Sequence, residues 1–330
     1  MAKATTLNAA GNREQITDIL TLSEPEMTPV TSAAPKKKAT ATFPEWQVDA
    51  LQEPSFGGVD EGKDVDSFEN KAANRVKLGN YIQKWRRTFQ VSDIQELVDT
   101  AGVASEFARS QALATREIKR DVEAAVCSSQ DRQQQGGAGT PYKTRGVFRW
   151  LGFNGTAGGN YPSDVPASQQ YTNYVDFGAG LTETEFNTLM QNMYAENGMP
   201  NGTLMCVASP NTRHEISLFS RADTTSNDTT FNVTQAADSK KITLNVRQYD
   251  GDFGMVNIVP ASVFLDRTSD SATVPTDRGL LLDTGGYCLY TLKAESKSEL
   301  EDQGGGRRGF CEVIAALGVD SPKAHGVLYS

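Results

Sequence analysis

Between residues 43 and 129 the spacing of apolar positions changes from two to nearer four. After Pro44, Trp46, Val48 and Ala50 alternate with polar residues, which suits the start of a strand. A second run is clearer. Tyr81, Gln83, Trp85, Arg87, Phe89 and Val91 share one face, while Ile82, Lys84, Arg86 and Thr88 share the other. Residues 52–73 between these runs hold Gly57-Gly58, many acidic residues and few apolar ones. The pattern predicts a long hairpin arm with a polar tip and no core of its own. Two such strands are marginal alone in water, so their aromatics must pack on this chain's body or on another surface. Ser92 then caps a short helix with Gln95 as capping-box partner, and Gly102 interrupts. Ser105 caps a longer helix, with Glu106 in its first turn, running to about Cys127. At ~1.5 Å per residue it is roughly 35 Å long. Phe107, Ala114, Ile118, Val122 and Ala125 form its apolar stripe; Arg109, Arg116, Lys119, Arg120 and Glu123 cover its other faces.

The flanking regions read differently. Residues 1–42 are rich in Ala, Thr and charge and end in Pro35-Lys36-Lys37-Lys38. They read as a tail or as an arm that orders against a neighbour, with one short helix around Ile16, Ile19, Leu20 and Leu22. Residues 130–140 are a break, and 146–153 read as a strand. An α/β half follows. Thr182 and Glu185 make a capping box ahead of Phe186, Leu189, Met190 and Met193, and Gly198 is a stop. Leu204–Ala208 reads as a buried strand, and Ser209-Pro210 opens another helix. Ile242, Leu244 and Val246 alternate in a strand, Asp250-Gly251 turns, and 253–259 returns. Strands at 287–292 and 310–317 flank a predicted polar loop from Lys293 to Arg308. Strands on both sides of the α/β half suggest an inserted domain.

Composition adds limits rather than an activity. With 330 residues and 38% apolar content, the chain can build a real core. A net charge of −9 argues against tight general binding to DNA or anionic lipid. Cys127, Cys206, Cys288 and Cys311 form no C-x-x-C pair and read as reduced core residues. No signal-like leader and no long apolar run occurs, so a cytosol-like compartment without membrane contact is expected. The N-x-T triplets at Asn154, Asn201, Asn227 and Asn232 are then chance. Only His214 and His325 exist, neither at metal-ligand spacing, and no nucleophile elbow or phosphate-binding loop is present. The Asp252-Phe253-Gly254 triplet lacks every kinase partner. The acidic group Glu295, Glu299, Glu301 and Asp302 reads as a solvated loop, and Lys36 to Lys38 as a weak, salt-sensitive contact. No catalytic residue, metal ligand or cofactor is expected.

The order of elements resembles the major capsid proteins of tailed bacteriophages with the Hong Kong 97-like fold. The resemblance is closest over residues 43–130, to a branch found in podoviruses and siphoviruses. It is carried by Phe43, Trp46, Asp49, Glu61-Gly62, Asn80, Gln83, Phe89, Val91, Ser92, Lys119-Arg120-Asp121 and Glu123. It implies an α+β fold with an N-terminal arm at 1–42 and an extended β-hairpin loop at 43–91. A peripheral domain with a spine helix would take 92–150 and 287–317, and an inserted axial α/β domain 151–286 and 318–330. It implies that Trp46, Asp49, Tyr81, Gln83, Trp85, Arg87 and Phe89 contact an adjacent subunit, and that Phe107, Ala114, Ile118 and Val122 pack the spine. The implied function is an icosahedral head shell of pentamers and hexamers. Scaffold, portal and possibly decoration proteins are implied partners. Packaged double-stranded DNA would be touched only weakly. The shell would assemble in the host cytoplasm and persist in the virion. Covalent cross-linking is not expected. An encapsulin-type compartment shell is an alternative; a hydrolase using Asp250 and Asp252 is a remote one.

Overall fold

Four of the described helices begin at a side-chain cap that the sequence marks. The computed structural model describes residues 28–330 except 50, 53, 99, 101, 156, 179, 198–202, 220–246, 252 and 262–277. The arm enters as α1 (Pro29–Ala33) and β1 (Lys36–Lys38), followed by β2 (Glu45–Val48), β3 (Val76–Gly79) and β4 (Gln83–Gln90). In α2 (Asp93–Leu97) the Ser92 hydroxyl accepts from the Gln95 amide. In α3 (Glu106–Val126) Ser105 accepts from the Ala108 amide. Glu96 of α2 accepts from both the Ser105 hydroxyl (2.6 Å) and the Phe107 amide (3.1 Å), so one helix helps to cap the next. Phe107, Ala114, Ile118 and Val122 are buried along one stripe of α3, and Val126 continues it.

A four-stranded sheet packs against α3. Its order is β1-β10-β11-β4, with β10 spanning Tyr287–Leu300 and β11 Arg308–Val319. β4 is antiparallel to β11 over eight positions, from Gln83 opposite Ala315 to Gln90 opposite Arg308. Trp85 and Phe89 on its inner face are buried, and Phe89 meets Phe107 edge-on at 5.3 Å.

A six-stranded sheet forms the second layer, in the order β5-β12-β9-β6-β8-β7. Its strands are β5 (Tyr174–Asp176), β6 (Leu204–Ala208), β7 (Gln248–Gly251), β8 (Gly254–Pro260), β9 (Arg278–Asp283) and β12 (Gly326–Tyr329). Central β6 and β9 are buried along their whole length, as strands covered on both faces must be. Met205, Val207, Leu280 and Leu282 face a core shared with Phe148, Trp150 and Phe153. Cys206, Ala208 and Leu281 face the opposite core, built on α5 (Glu183–Asn197) and α6 (Pro210–Leu218). The Thr182 and Glu185 capping box is reciprocal, and Ser209 accepts from the Thr212 amide.

The structure corrects four sequence expectations. First, the 81–91 run is not the returning strand of the arm. That strand is β3, antiparallel to β2, and β4 belongs to the four-stranded sheet. Second, residues 146–153 form a one-turn helix, α4 (Val147–Trp150), not a strand. Val147, Phe148 and Trp150 are buried around a part-exposed Arg149, and so short a mostly apolar run does not distinguish the two forms. Gly152, at φ 76°, ends the turn in a conformation that favours glycine. Third, most of the predicted loop after 292 is strand, because β10 stays paired with β11 down to Leu300 opposite Arg308. Fourth, Lys36 to Lys38 is a strand parallel to β10 at Leu289–Thr291, and Lys37 pairs with Asp320 at 2.9 Å. The helix at Ile16–Leu22, the stop at Gly198, the strand at 242–246, Ala50, Asp252 and the triplets at Asn201, Asn227 and Asn232 lie outside the described residues.

Candidate functional site

The arm is rigid at its root and bare beyond it. Ion pairs Glu45–Lys77 and Asp49–Arg75, both 3.3 Å, flank the β2–β3 ladder. Trp46 is buried, stacks on Tyr290 (5.8 Å between centroids), and donates its indole N–H to the Val319 carbonyl at 3.0 Å. Asn80 fixes the corner between β3 and β4. Its Nδ2 donates to the Thr144 hydroxyl (2.9 Å) and the Leu317 carbonyl (2.7 Å). Its Oδ1 accepts from the Tyr81 and Arg145 amides at 2.9 and 2.8 Å. A fully buried amide this well satisfied sets one direction for the chain leaving the body.

Beyond that root the loop from Leu51 to Ala73 has every described side chain exposed. Phe56 is 100% exposed and Phe68 89%; Leu51, Val59 and Val65 are also open to solvent. Scattered exposed apolar residues are ordinary, but five fall together on this one coreless loop.

The seven residues expected to touch an adjacent subunit therefore divide. Trp46, Trp85 and Phe89 pack in this chain's own core. The strand alternation was read correctly, but the inner face meets α3 of the same chain. Gln83 is tied internally, accepting from the Thr144 amide and the Gln130 side chain, each at 3.0 Å. Arg87 makes a two-point pair with Asp121 of α3 at 2.5 and 2.6 Å. Tyr81 packs on Phe43 at 4.6 Å, and Asp49 sits at the loop's base.

Two buried carboxylates stand out: Glu312, which the sequence reading did not single out, and Glu123, which it placed on the helix's polar faces. Glu123 of α3 accepts from the Val30 and Thr31 amides, both at 2.8 Å, and so anchors α1 on the spine. Burial pushes its carboxyl up from the ordinary value. Glu312 of β11 is ringed by Lys84 (2.8 Å), Arg86 (2.7 Å) and Lys293 (3.1 Å). The Lys84 hydrogen bond, with Arg86 and Lys293, pulls Glu312 down to about 2. A lone acid inside the apolar run 310–317, facing Lys84 and Arg86, was the signal that could have found it.

Nothing in the described residues points to catalysis. No group of three His, Cys, Asp or Glu side chains is placed to hold a metal ion. His214 is exposed. His325 is buried, accepts from the Asp283 amide at Nδ1 (3.1 Å), and is driven down to about 4 by burial, so it is a neutral structural peg. All four cysteines are buried and free. Among the described residues no helix is long and apolar enough to cross a membrane.

The comparisons agree with this absence of chemistry. A family model described as SU10 major capsid protein matches residues 3–330. No curated protein matches the chain. The capsid asymmetric unit of cyanophage A-1(L) contains a similar chain at 13% identity and a TM-score of 0.65, with 99% of each chain covered. The capsid structure of cyanophage P-SCSP1u gives 12% identity and 0.59, covering 99% of this chain and 95% of that one. A chain from Gordonia phage Cozz gives 15% identity and 0.58, again covering 99% and 95%. At these identities the structures establish the shared fold.

Proposed function

The chain belongs to the SU10 major capsid protein family, a structural family of phage head shells, and from that premise we propose how it builds the shell. Copies assemble as pentamers and hexamers into a closed icosahedral head around double-stranded DNA. The four-stranded sheet and α3 form the peripheral body, and the six-stranded sheet with α5 and α6 forms the axial body. The loop 51–73 lies on an adjacent copy.

One observation supports this reading above the others: a loop with exposed aromatics stands on a root fixed by Trp46 and Asn80. A repeating heterologous contact closes a shell when each copy both gives and receives it, and each contact can be modest because symmetry multiplies it. The net charge of −9 suits a wall that faces DNA without binding it tightly. Scaffold and portal proteins are the expected helpers, and the host cytoplasm is the expected place of assembly.

Negative-stain microscopy of the expressed full chain, with and without a co-expressed scaffold, tests the proposal. Hollow closed or polymorphic shells are expected. A protein that stays monomeric at high concentration in both conditions would overturn it.

A further inference from the structure

We infer that His325 is an acid-sensitive pin between the two sheets. Neutral, it locks together the two short segments by which the chain passes from one sheet to the other; protonated, it releases them. The inference rests on the shell reading for its use alone: a chain that serves in both pentamers and hexamers must hold, and be able to reset, the angle between its two bodies.

Residues 284–286 carry the chain from β9 to β10, and residues 320–325 carry it from β11 to β12. The two segments lie side by side. The Gly286 carbonyl accepts from the Asp320 amide (2.8 Å), the Ser321 amide (3.3 Å) and Nε2 of His325 (3.2 Å). The other ring nitrogen, Nδ1, accepts from the amide of Asp283 at the end of β9 (3.1 Å). That bond places the proton on Nε2, so one neutral imidazole bridges both segments with both nitrogens in use. The fit is tight: a Cβ on Gly286 would lie 3.0 Å from the ring, and the Tyr287 ring stands edge-on to it at 5.8 Å. Asn173, just before β5, fastens the same stretch by donating to the Lys323 and His325 carbonyls at 2.9 and 3.0 Å.

Elsewhere the two sheets meet through apolar side chains, with Leu280, Leu282 and Val327 in one core with Leu317 and Val319. Apolar contact is non-directional and tolerates sliding, whereas hydrogen bonds fix an angle. The directional bonds between the two segments converge on His325 and the carbonyl it shares. A proton on Nδ1 would point at the Asp283 N–H, donor against donor, and end that bond. Two carboxylates near the ring, Asp283 and Asp320, favour its charged form. Asp320 is already paired with Lys37 at 2.9 Å, and Lys323 turns to Glu196 of α5 at 3.1 Å. The Tyr287 hydroxyl, pushed up by burial, stays neutral. Burial outweighs the carboxylates and holds the ring near 4 instead of 6.5. An opened site would restore the ordinary value. The closed form therefore keeps its full advantage above pH 6.5 and loses it progressively as pH falls toward 4.

Hydrogen exchange in the full-length subunit tests this, with each rate corrected for the intrinsic effect of pH. Between pH 7 and pH 4 the Asp283, Asp320 and Ser321 amides of the parent should lose roughly a hundredfold more protection than those of central β6. His325→Asn keeps an acceptor for the Asp283 amide but cannot take up a proton, so its loss over that range should stay within about threefold. Parallel pH profiles in parent and variant would overturn the pin, because a purely structural histidine shifts protection equally at every pH. Should the variant not fold, the parent answers by NMR. It has only two histidines, and His214 is exposed. The buried ring should gain its proton in step with the loss of protection at Asp320 and Ser321, while β6 stays protected. Unfolding of the whole subunit in one step, with no earlier opening at this junction, would overturn the inference. Shell microscopy reports separately: a subunit that shows the switch but forms no shells would overturn the shell reading and uphold the pin.

Discussion

Residues 81–91 and 51–73 belong to one stretch of alternating and polar sequence, and they end in opposite environments. The first half lies against α3 and β11, with Trp85 and Phe89 in the core. The second has no core, and Phe56 is as exposed as in an unfolded chain. Alternation with period two says that a strand forms and which side chains share a face; it does not name the partner. Composition does better where it is extreme, because a long acidic run with few apolar groups cannot bury itself anywhere.

Three measurements bear on that contrast. Trp85→Ala should destabilise the isolated subunit by about 3–5 kcal/mol, the usual cost of emptying a buried aromatic site, seen as a lower urea midpoint. An unchanged midpoint with failed assembly would return Trp85 to the neighbour. Glu312→Gln should have a smaller effect, and one that depends on pH. A carboxyl held below its ordinary value contributes stability fully above that value, near 4.5, and loses it as pH falls toward about 2. The variant should therefore be less stable than the parent at pH 7, and the gap should close as pH approaches 2. A gap that stays constant would trace to packing rather than to the ring of cations. Phe56→Ser with Phe68→Ser should have the least effect on the subunit, within about 0.5 kcal/mol, while shell yield drops. Loss of subunit stability there would show that the loop has an internal role.

Legibility followed the range of the interaction. The caps at Ser92, Ser105, Thr182 and Ser209 were readable because donor and acceptor lie within three residues. The stripe from Phe107 to Val122 was readable for the same reason. The pairing of β4 with β11 joins Gln83 to Ala315, and no local pattern carries that distance. Residues 146–153 failed because one turn is too short for its mostly apolar side chains to show a period, and 293–300 failed because a strand exposed along much of its length looks polar. The loop 51–73 was legible as coreless, but the cluster of Lys84, Arg86 and Lys293 around Glu312 was not, because these residues meet only in three dimensions.

The three lysines of β1 do more than tether the arm. They close part of the outer edge of the four-stranded sheet, lying parallel to Leu289–Thr291. A bare sheet edge offers unpaired amides and carbonyls to any passing strand, and charged lysines are a common deterrent to such pairing. A capsid-family subunit meets other copies of itself and is exposed to that error. At that edge of the sheet, the charged strand discourages indiscriminate fibre-like stacking; the opposite edge is β4.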